Sequence, residues 1–359
     1  KRGSIPLGTA KKFEIYCELK TLIIRTDKLG DFYQTLPYIN ALKRNIGKEN
    51  IDILISESIH NHFFEKKDIF NNLHKLSQTN LVKKILLVLK LRKISYKYII
   101  ILDAKDRSII ISFFLKCLKR VILFDTRKFN FFFKFLFLDN KKNIIIQDNR
   151  NETCFNLYNK VLDELNIKIN EIDFKIIRYE DMESLNFPGS LSQNIKNYTL
   201  LHLDEKWFSS LYINKFSDIS PQKEEFLIFI EEFFAKAKQN IIITTGIKYT
   251  PLIYELIDKF FTKINTNFYE YSFDNFKAII CLNSSIKELE IISMNSNNII
   301  TCHGPLSLFS GFFNINLIDI IEKTQEKWYY RHTSHIKKYN KLYRKNFKEL
   351  SKEIILTIK

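Results

Sequence analysis

The feature that most constrains this chain is a repeating grammar of short apolar runs separated by stretches with helical periodicity. The runs at Thr21–Arg25, Ile51–Ile55, Tyr98–Leu102, Val121–Phe124 and Ile144–Ile146 are nearly continuous rather than alternating. Strands that read this way are covered on both faces, as in a parallel sheet between helix layers. Helical stretches lie between several of them, as at Arg107–Leu118, and Cys154–Leu165 sets Phe155, Tyr158, Val161, Leu162 and Leu165 on one face. The grammar breaks over Asp181–Asn197, where "SLNFPGSLSQN" combines Pro, Gly and Ser and predicts an interdomain linker. It then restarts, with strands expected at Tyr198–Leu203, Asn240–Thr244, Ala278–Leu282, Asn298–Thr301 and Asn316–Ile320. Helices are expected at Lys223–Lys238, Thr250–Phe261 and Ile286–Ser293. Open α/β sheets take ligands at the C-terminal ends of their strands, so two such halves predict a cleft between two sets of strand ends.

A length of 359 residues accommodates two domains. The divisions expected are 1–182, 183–325 and a C-terminal piece, 326–359. From Glu322 onward the chain carries 11 Lys/Arg against 4 Glu, with Tyr339, Leu342, Tyr343, Leu350 and Ile354 at helical spacing. That pattern predicts a basic amphipathic C-terminal helix packed on the body. Across the whole chain 56 Lys/Arg face 40 Asp/Glu, a net charge of +16, which suits anionic partners such as acidic lipid headgroups, phosphorylated substrates or nucleic acid. No nucleic-acid-binding motif is present, and the aromatics sit mostly in apolar runs, which argues against nucleic acid. The five cysteines are widely spaced with no C-x-x-C, so neither a disulfide framework nor a structural zinc site is expected, and a reducing cytoplasm fits. His60 and His62 have no companion Cys or carboxylate cluster, and no metal site is expected there. The first residues, KRGSIPLGTAKK, lack the apolar core of a leader, and no membrane span is expected. Membrane contact, if present, is expected to be peripheral, at the inner face of the cytoplasmic membrane. "RKFNFFFKFLFLDNKK", residues 127–142, admits two readings: a core strand with basic ends, or a segment lying in a bilayer interface.

The stretch "LIIRTDKLGDFYQTLPYINALKRN", residues 22–45, concentrates the chemistry of the first half. An apolar strand runs into a turn in which Asp31 follows Gly30. Pro37 suits the first turn of a helix, so the helix is expected from near Thr35, with Asp27–Gln34 as an exposed connection. A carboxylate at such a place either caps the helix or accepts a proton from a substrate hydroxyl, and the turn alone admits both readings.

Further segments place this stretch in a wider pattern. "TLIIRTDKLGDFYQTLPYINALKRN" resembles the N-terminal motif of glycosyltransferase family 9, the lipopolysaccharide heptosyltransferases: an apolar strand, a polar turn ending in Gly-Asp, and a Thr-x-Pro element. "YKYIIILDAKDRSIIISFFLKCLKRVILFDTRK" is similar to the family's strand, Asp, Arg-Ser and helix, and to its "RxGFD" strand. "NETCFNLYNKVLDELNI", "LLHLDEKW", "NIIITTGIKYTPLIYELI" and "SSIKELEIISMNSNNIITCHGPLSLFSGFFNI" resemble its later elements in the same order. Together they cover about Thr21 to Ile320.

The resemblance implies a GT-B fold, two Rossmann-like domains with parallel sheets facing across a cleft. The acceptor would bind to the N-terminal domain and a nucleotide-sugar to the C-terminal one. It implies an inverting, metal-independent transfer with no cofactor beyond the nucleotide-sugar co-substrate, ADP-linked in the family's familiar donor. The acceptor implied is an anionic glycolipid or surface glycan of the lipopolysaccharide-core kind. Asp31 matches the family's proposed catalytic base. Consistent with metal independence, the chain holds no D-x-D pair. The leaving diphosphate then needs cations or helix N-termini. Lys206 in "DEKW" matches the family's phosphate-contacting lysine, and its alternative is a solvated loop lysine. The turn at His303, Gly304 and Ser307 should open a helix whose N–H groups face phosphate, or be a plain strand–helix turn. Here the family's Asp-Thr-Gly-Pro-x-His is replaced by Cys302-His303-Gly304-Pro305-Leu306-Ser307. Cys302 reads as a small buried residue rather than a nucleophile. Thr245, Gly246 and Lys248 end a strand on the nucleoside side. On the acceptor side Lys28, Lys105 and Arg107 could meet a phosphate or carboxylate, with Asp103 beside them, or form surface ion pairs. The rival function is a non-catalytic GT-B-like module that binds an anionic glycan or another polyanion through its basic surface.

Overall fold

The computed structural model describes residues 19–63, 70–103, 105–125, 141–174, 197–246 and 250–358. The basic N-terminal stretch, Cys17, the side chain of His62, the Phe-rich segment up to residue 140, nearly all of the expected linker, and Lys248 lie outside the described residues. The chain forms two compact units, Lys1–Lys175 and Ile176–Lys359.

The first unit is built on strands β1 (Lys20–Arg25), β2 (Ile51–Ser56), β3 (Asn72–Leu76), β4 (Ser95–Ile101), β5 (Lys116–Asp125) and β6 (Asn143–Asp148). They form a six-stranded sheet in the order β3-β2-β1-β4-β5-β6, parallel throughout. The helices are α1 (Leu29–Ile46), α2 (Glu57–Phe63), α3 (Leu81–Arg92), α4 (Asp106–Phe113) and α5 (Cys154–Asp163). The continuous apolar runs become strands buried on both faces: Leu22, Ile23, Ile24, Ile53, Leu54, Ile99 and Ile100 are fully inaccessible. α1 corrects the expectation of a helix starting near Thr35. It begins six residues earlier, at Leu29, and carries Pro37 in its interior. Pro37 deletes one ladder donor, but Phe32, Tyr33, Leu36, Ile39, Ala41 and Leu42 bury the face of the helix, and that burial outweighs one missing bond. The helix expected over Arg107–Leu118 likewise stops at Phe113, because Lys116 is already paired with Ser95 at the start of β5.

The second unit holds β7 (Tyr198–Leu203), β8 (Asn240–Thr245), β9 (Thr262–Lys263), β10 (Phe268–Phe273), β11 (Phe276–Cys281), β12 (Asn298–Cys302), β13 (Asn316–Ile321) and β14 (Tyr339–Tyr343). The eight strands are ordered β14-β13-β12-β7-β8-β11-β10-β9. The six from β14 to β11 run parallel, and β10 and β9 extend the sheet antiparallel. Its helices are α6 (Lys223–Ala237), α7 (Pro251–Lys259), α8 (Ile286–Met294), α9 (Pro305–Phe313), α10 (Glu326–Thr333) and α11 (Phe347–Thr357). The hairpin aside, the order is that of the first unit, so both are Rossmann-like.

The C-terminal segment corrects a second expectation. Instead of one basic helix, residues 326–357 form α10, β14 and α11. Tyr339, Leu342 and Tyr343, expected on a helix face, lie on β14, which pairs in parallel with β13. Leu350 and Ile354 do fall on a buried helix face, that of α11. Phe347 at its start lies 5.6 Å from the Phe226 and Phe229 rings and 6.3 Å from Trp207. The segment therefore completes the core of this unit. Truncating Phe347 to Ala should cost about 3–5 kcal/mol in urea unfolding, because the cavity opens among rings that cannot collapse into it. A loss of less than about 1 kcal/mol would show that α11 is an appendage.

One β7 position carries a titratable group inside the sheet. His202 is buried, with Nδ1 2.9 Å from Thr244 Oγ1. Burial pushes its imidazole down to about 4 from 6.5, and Lys206 adds to the shift while Asp204 opposes it. Between those two values the unfolded chain binds a proton that the folded chain refuses, so stability falls as pH drops from about 6.5 towards 4. Replacing His202 with Gln should flatten that decline in unfolding measured between pH 7 and 4.5, and an unchanged slope would contradict the burial assignment.

Candidate functional site

In each unit two adjacent strands hand the chain off in opposite directions, β1 and β4 in the first and β7 and β12 in the second. Their loops diverge there and leave a crevice at the strand ends. Both crevices are lined with charge.

In the first unit the β1 end is tied to the β4 end through Asp103. Its Oδ2 accepts from the Thr26 N–H (2.9 Å), the Thr26 hydroxyl (2.7 Å) and the Ser108 hydroxyl (2.6 Å). Arg107 donates through Nε to Thr26 Oγ1 at 2.9 Å and through a terminal nitrogen to the Thr26 carbonyl. It braces the same turn. The Arg25 guanidinium is buried, donates to the Leu102 carbonyl, and lies 3.6 Å from Asp27 and 4.0 Å from Asp31. Burial raises the Asp27 carboxyl above its usual range, and the Arg25 charge opposes that rise. Lys105 pairs with Asp27. Asp31 occupies the third position of α1, where its Oδ2 accepts from the Lys28 N–H at a long 3.4 Å. The capping geometry weighed from sequence is thus present, but weak. The Asp31 side chain is 39 % exposed, and Lys28 is exposed at the helix cap.

In the second unit Lys206 leaves the end of β7 with its side chain largely covered, 17% exposed. Nζ lies 2.7 Å from Asp204 Oδ2 and 3.5 Å from the Cys302 carbonyl. Burial lowers its pKa, but the Asp204 charge overrides that and holds the ammonium above the usual lysine range. The Gly304 backbone comes so near that a Cβ there would sit 2.7 Å from Nζ. Gly304 caps α9, so the lysine meets the positive end of that helix.

Sequence reasoning missed the residue that shapes this turn. Asp319, fully buried on β13, accepts from the Ser307 hydroxyl at 2.9 Å, and its Oδ2 lies 2.8 Å from His303 Nδ1 and 3.2 Å from the Tyr339 hydroxyl. The available signal was a lone acid inside the apolar run "NLIDII". Ser307 is itself fully buried and also accepts from the Gly304 N–H at 3.2 Å, so it organises the turn from within. The His303 ring sits edge-on to Tyr329, centroids 4.7 Å apart. Thr245 is buried at the end of β8, and Gly246 follows it against Glu205 and Asp204. Cys302 is buried, and burial pushes its thiol well above the usual range, which makes it inert.

A cavity of about 240 Å³ opens at the ends of β7, β12, β13 and β14, lined by Lys206, Tyr212, Phe216, His303, Trp328, Tyr329 and Arg344 among others. Arg344 was also missed. It donates to the carbonyls of Ser217 (2.8 Å) and Lys206 (2.6 Å), and its buried NH2 has no hydrogen-bond partner. The lining thus combines two cations and an imidazole with aromatic rings and contains no carboxylate. Such a wall is chemically suited to an anionic group joined to a ring. Among the described residues no group of three or more His, Cys, Asp or Glu is placed to share a metal ion.

No family model and no curated protein matches the chain. Solved structures do match over most of its length. A glycosyl transferase family 9 protein from Veillonella parvula aligns with a TM-score of 0.63 at 12% identity, over 94% of this chain and 90% of that one. The E. coli ADP-heptose LPS heptosyltransferase II aligns at 0.60 and 10%, over 94% and 97%. The E. coli heptosyltransferase WaaC with ADP-2-deoxy-2-fluoro heptose aligns at 0.57 and 11%, over 85% and 89%. At such identities the likeness establishes the architecture: the chain has the GT-B fold, made of two Rossmann-like domains.

Proposed function

We propose that this chain is an inverting glycosyltransferase that moves a sugar from a nucleotide-sugar to an anionic glycan or glycolipid. The observation that carries the proposal is the Lys206 ammonium, held against Gly304 at the start of α9 where β7 and β12 part. A largely covered cation held above the usual lysine range, beside a helix N-terminus, is chemistry suited to a departing diphosphate. The shared fold with ADP-heptose transferases supports the same reading, and an ADP-linked donor is the first to test.

In this mechanism the acceptor oxygen forms a bond to the anomeric carbon while the bond to the diphosphate oxygen breaks. The acceptor proton passes to the Asp31 carboxylate, whose 3.4 Å cap bond from the Lys28 N–H is long enough to yield without great cost. The electron pair leaves on the diphosphate, where Lys206 and the α9 terminus offset its charge. His303, oriented by Asp319, contacts a donor hydroxyl or phosphate oxygen, and Gly304 leaves room for both. Thr245 and Gly246 border the nucleoside. Lys28 and Lys105 attract the acceptor's negative charge, and Arg107 holds the turn that carries them. No metal is required in this scheme.

Replacing Asp31 with Asn should reduce transfer by about 10²–10⁴-fold, the range for a lost general base, while nucleoside diphosphate binding is unchanged. Lys206→Ala should weaken that binding by tenfold or more, read by calorimetry. Transfer that survives Asp31→Asn would remove the base assignment.

A second reading is favoured by the altered turn, in which inert Cys302 and buried Ser307 stand at the family's Asp and His positions. On that reading the chain is a non-catalytic module for anionic glycans. It requires that nucleoside diphosphates fail to raise the melting temperature while polyanions raise it in a salt-sensitive manner.

A further inference from the structure

The helix α3, "LVKKILLVLKLR", turns its apolar side outwards. Leu81, Val82, Ile85, Leu86 and Leu89 are between 50% and 67% exposed in the folded chain. At 100° per residue these five positions fall within one contiguous stripe. The opposite side supplies the packing: Leu91 is fully buried, and Leu87 and Val88 pack on the core. An outer face this apolar marks an interaction surface.

The neighbouring helix extends the surface. Ile109, Ile111 and Leu115 belong to the same core cluster as Leu91, so α3 and α4 cover the same face of the sheet. Outwards, α4 and the residue after it expose Ile110, Phe113 and Phe114 at 43%, 47% and 53%.

The charges around these side chains name the partner. Between Asp68 and Asp103 the sequence contains no acidic residue, and Lys83, Lys90, Arg92, Lys93 and Lys97 are all exposed there. A protein partner for so apolar a stripe needs no uniform positive border. A bilayer with anionic headgroups needs both, the stripe for the acyl boundary and the cations for the phosphates. At 12 residues α3 spans about 18 Å, too short for a hydrocarbon core of about 30 Å. Among the described residues no helix is long and apolar enough to cross a membrane.

From this surface we infer that α3, together with the exposed end of α4, docks the first unit on an anionic lipid bilayer, with the helix lying in the plane of the headgroups. The inference stands on exposure and charge and does not depend on sugar transfer.

The test is co-sedimentation of the full chain with vesicles of phosphatidylcholine alone or with about one third phosphatidylglycerol. Binding should be at least about fivefold greater to the mixed vesicles and should fall steeply between about 0.05 and 0.5 M salt. The double variant Leu86→Asp/Leu89→Asp should lose tenfold or more with an unchanged melting temperature, since both side chains face solvent. Lys83→Glu/Lys90→Glu should lose binding while keeping the apolar stripe. Equal binding by wild type and variants, or binding indifferent to phosphatidylglycerol and salt, overturns the proposal. So does wild-type protein that ignores vesicles and forms a dimer that the Leu86/Leu89 variant dissolves, because the occupant is then a second copy of the chain.

Discussion

The second unit's strand ends are organised around one ion pair, Lys206 with Asp204. An ammonium leaves water only if an opposite charge and good hydrogen-bond geometry replace its solvation. Asp204 supplies the charge at 2.7 Å, and the Cys302 carbonyl adds an acceptor at 3.5 Å. The Asp204 backbone continues β7, and its carboxylate also accepts from the Lys206 N–H at 3.1 Å, so the pair is bound to the strand that aims it. A Cβ on Gly304 would sit 2.7 Å from Nζ, so any side chain there would push the ammonium out of this position. The result is a cation fixed in place before any ligand arrives, the preorganisation that makes charge stabilisation effective.

Asp319 performs the same service for the rest of the turn. It sits one strand away, fully buried, and is satisfied by Ser307 and Tyr339 with His303 beside it. This accounts for the altered residues of the turn. The position that the resemblance assigns to an acid is Cys302, buried and inert, and the acid of this site lies on the next strand instead. The final position, Ser307, faces inwards and ties the helix start to that acid. The imidazole is displaced to position 303, where it lines the cavity with Trp328 and Tyr329.

What could be read from the sequence follows a physical line. The central strands were legible because both faces are buried, which demands continuous apolar runs. Of the strands that escaped, β3 "NLHKL", β9 and β14 "YNKLY" lie at sheet edges, and β10 "FYEYSF" is covered on its outer side only by the two-residue β9. An edge strand is half solvated, so it carries polar and charged side chains and loses the signal. α1 was placed too late because Pro37 obeys a local rule that the burial of Phe32, Tyr33 and Leu36 overrides. Lys206, Gly304 and His303 were legible as a cation and a turn at strand ends. Asp319 and Arg344 were not, because their roles depend on pairing between β12, β13 and β14, which no local pattern encodes. The stripe on α3 escaped as well: apolar residues in every turn of a helix look like core until exposure is measured.

The central claim is that the Lys206 ammonium and the start of α9 hold a diphosphate. The most direct measurement is a crystal structure of the protein soaked with a nucleoside diphosphate. The account predicts the distal phosphate within about 3.5 Å of Lys206 Nζ, capping α9, with the Asp204 pair intact. A diphosphate bound elsewhere on the molecule, or no binding at millimolar concentration, would contradict it.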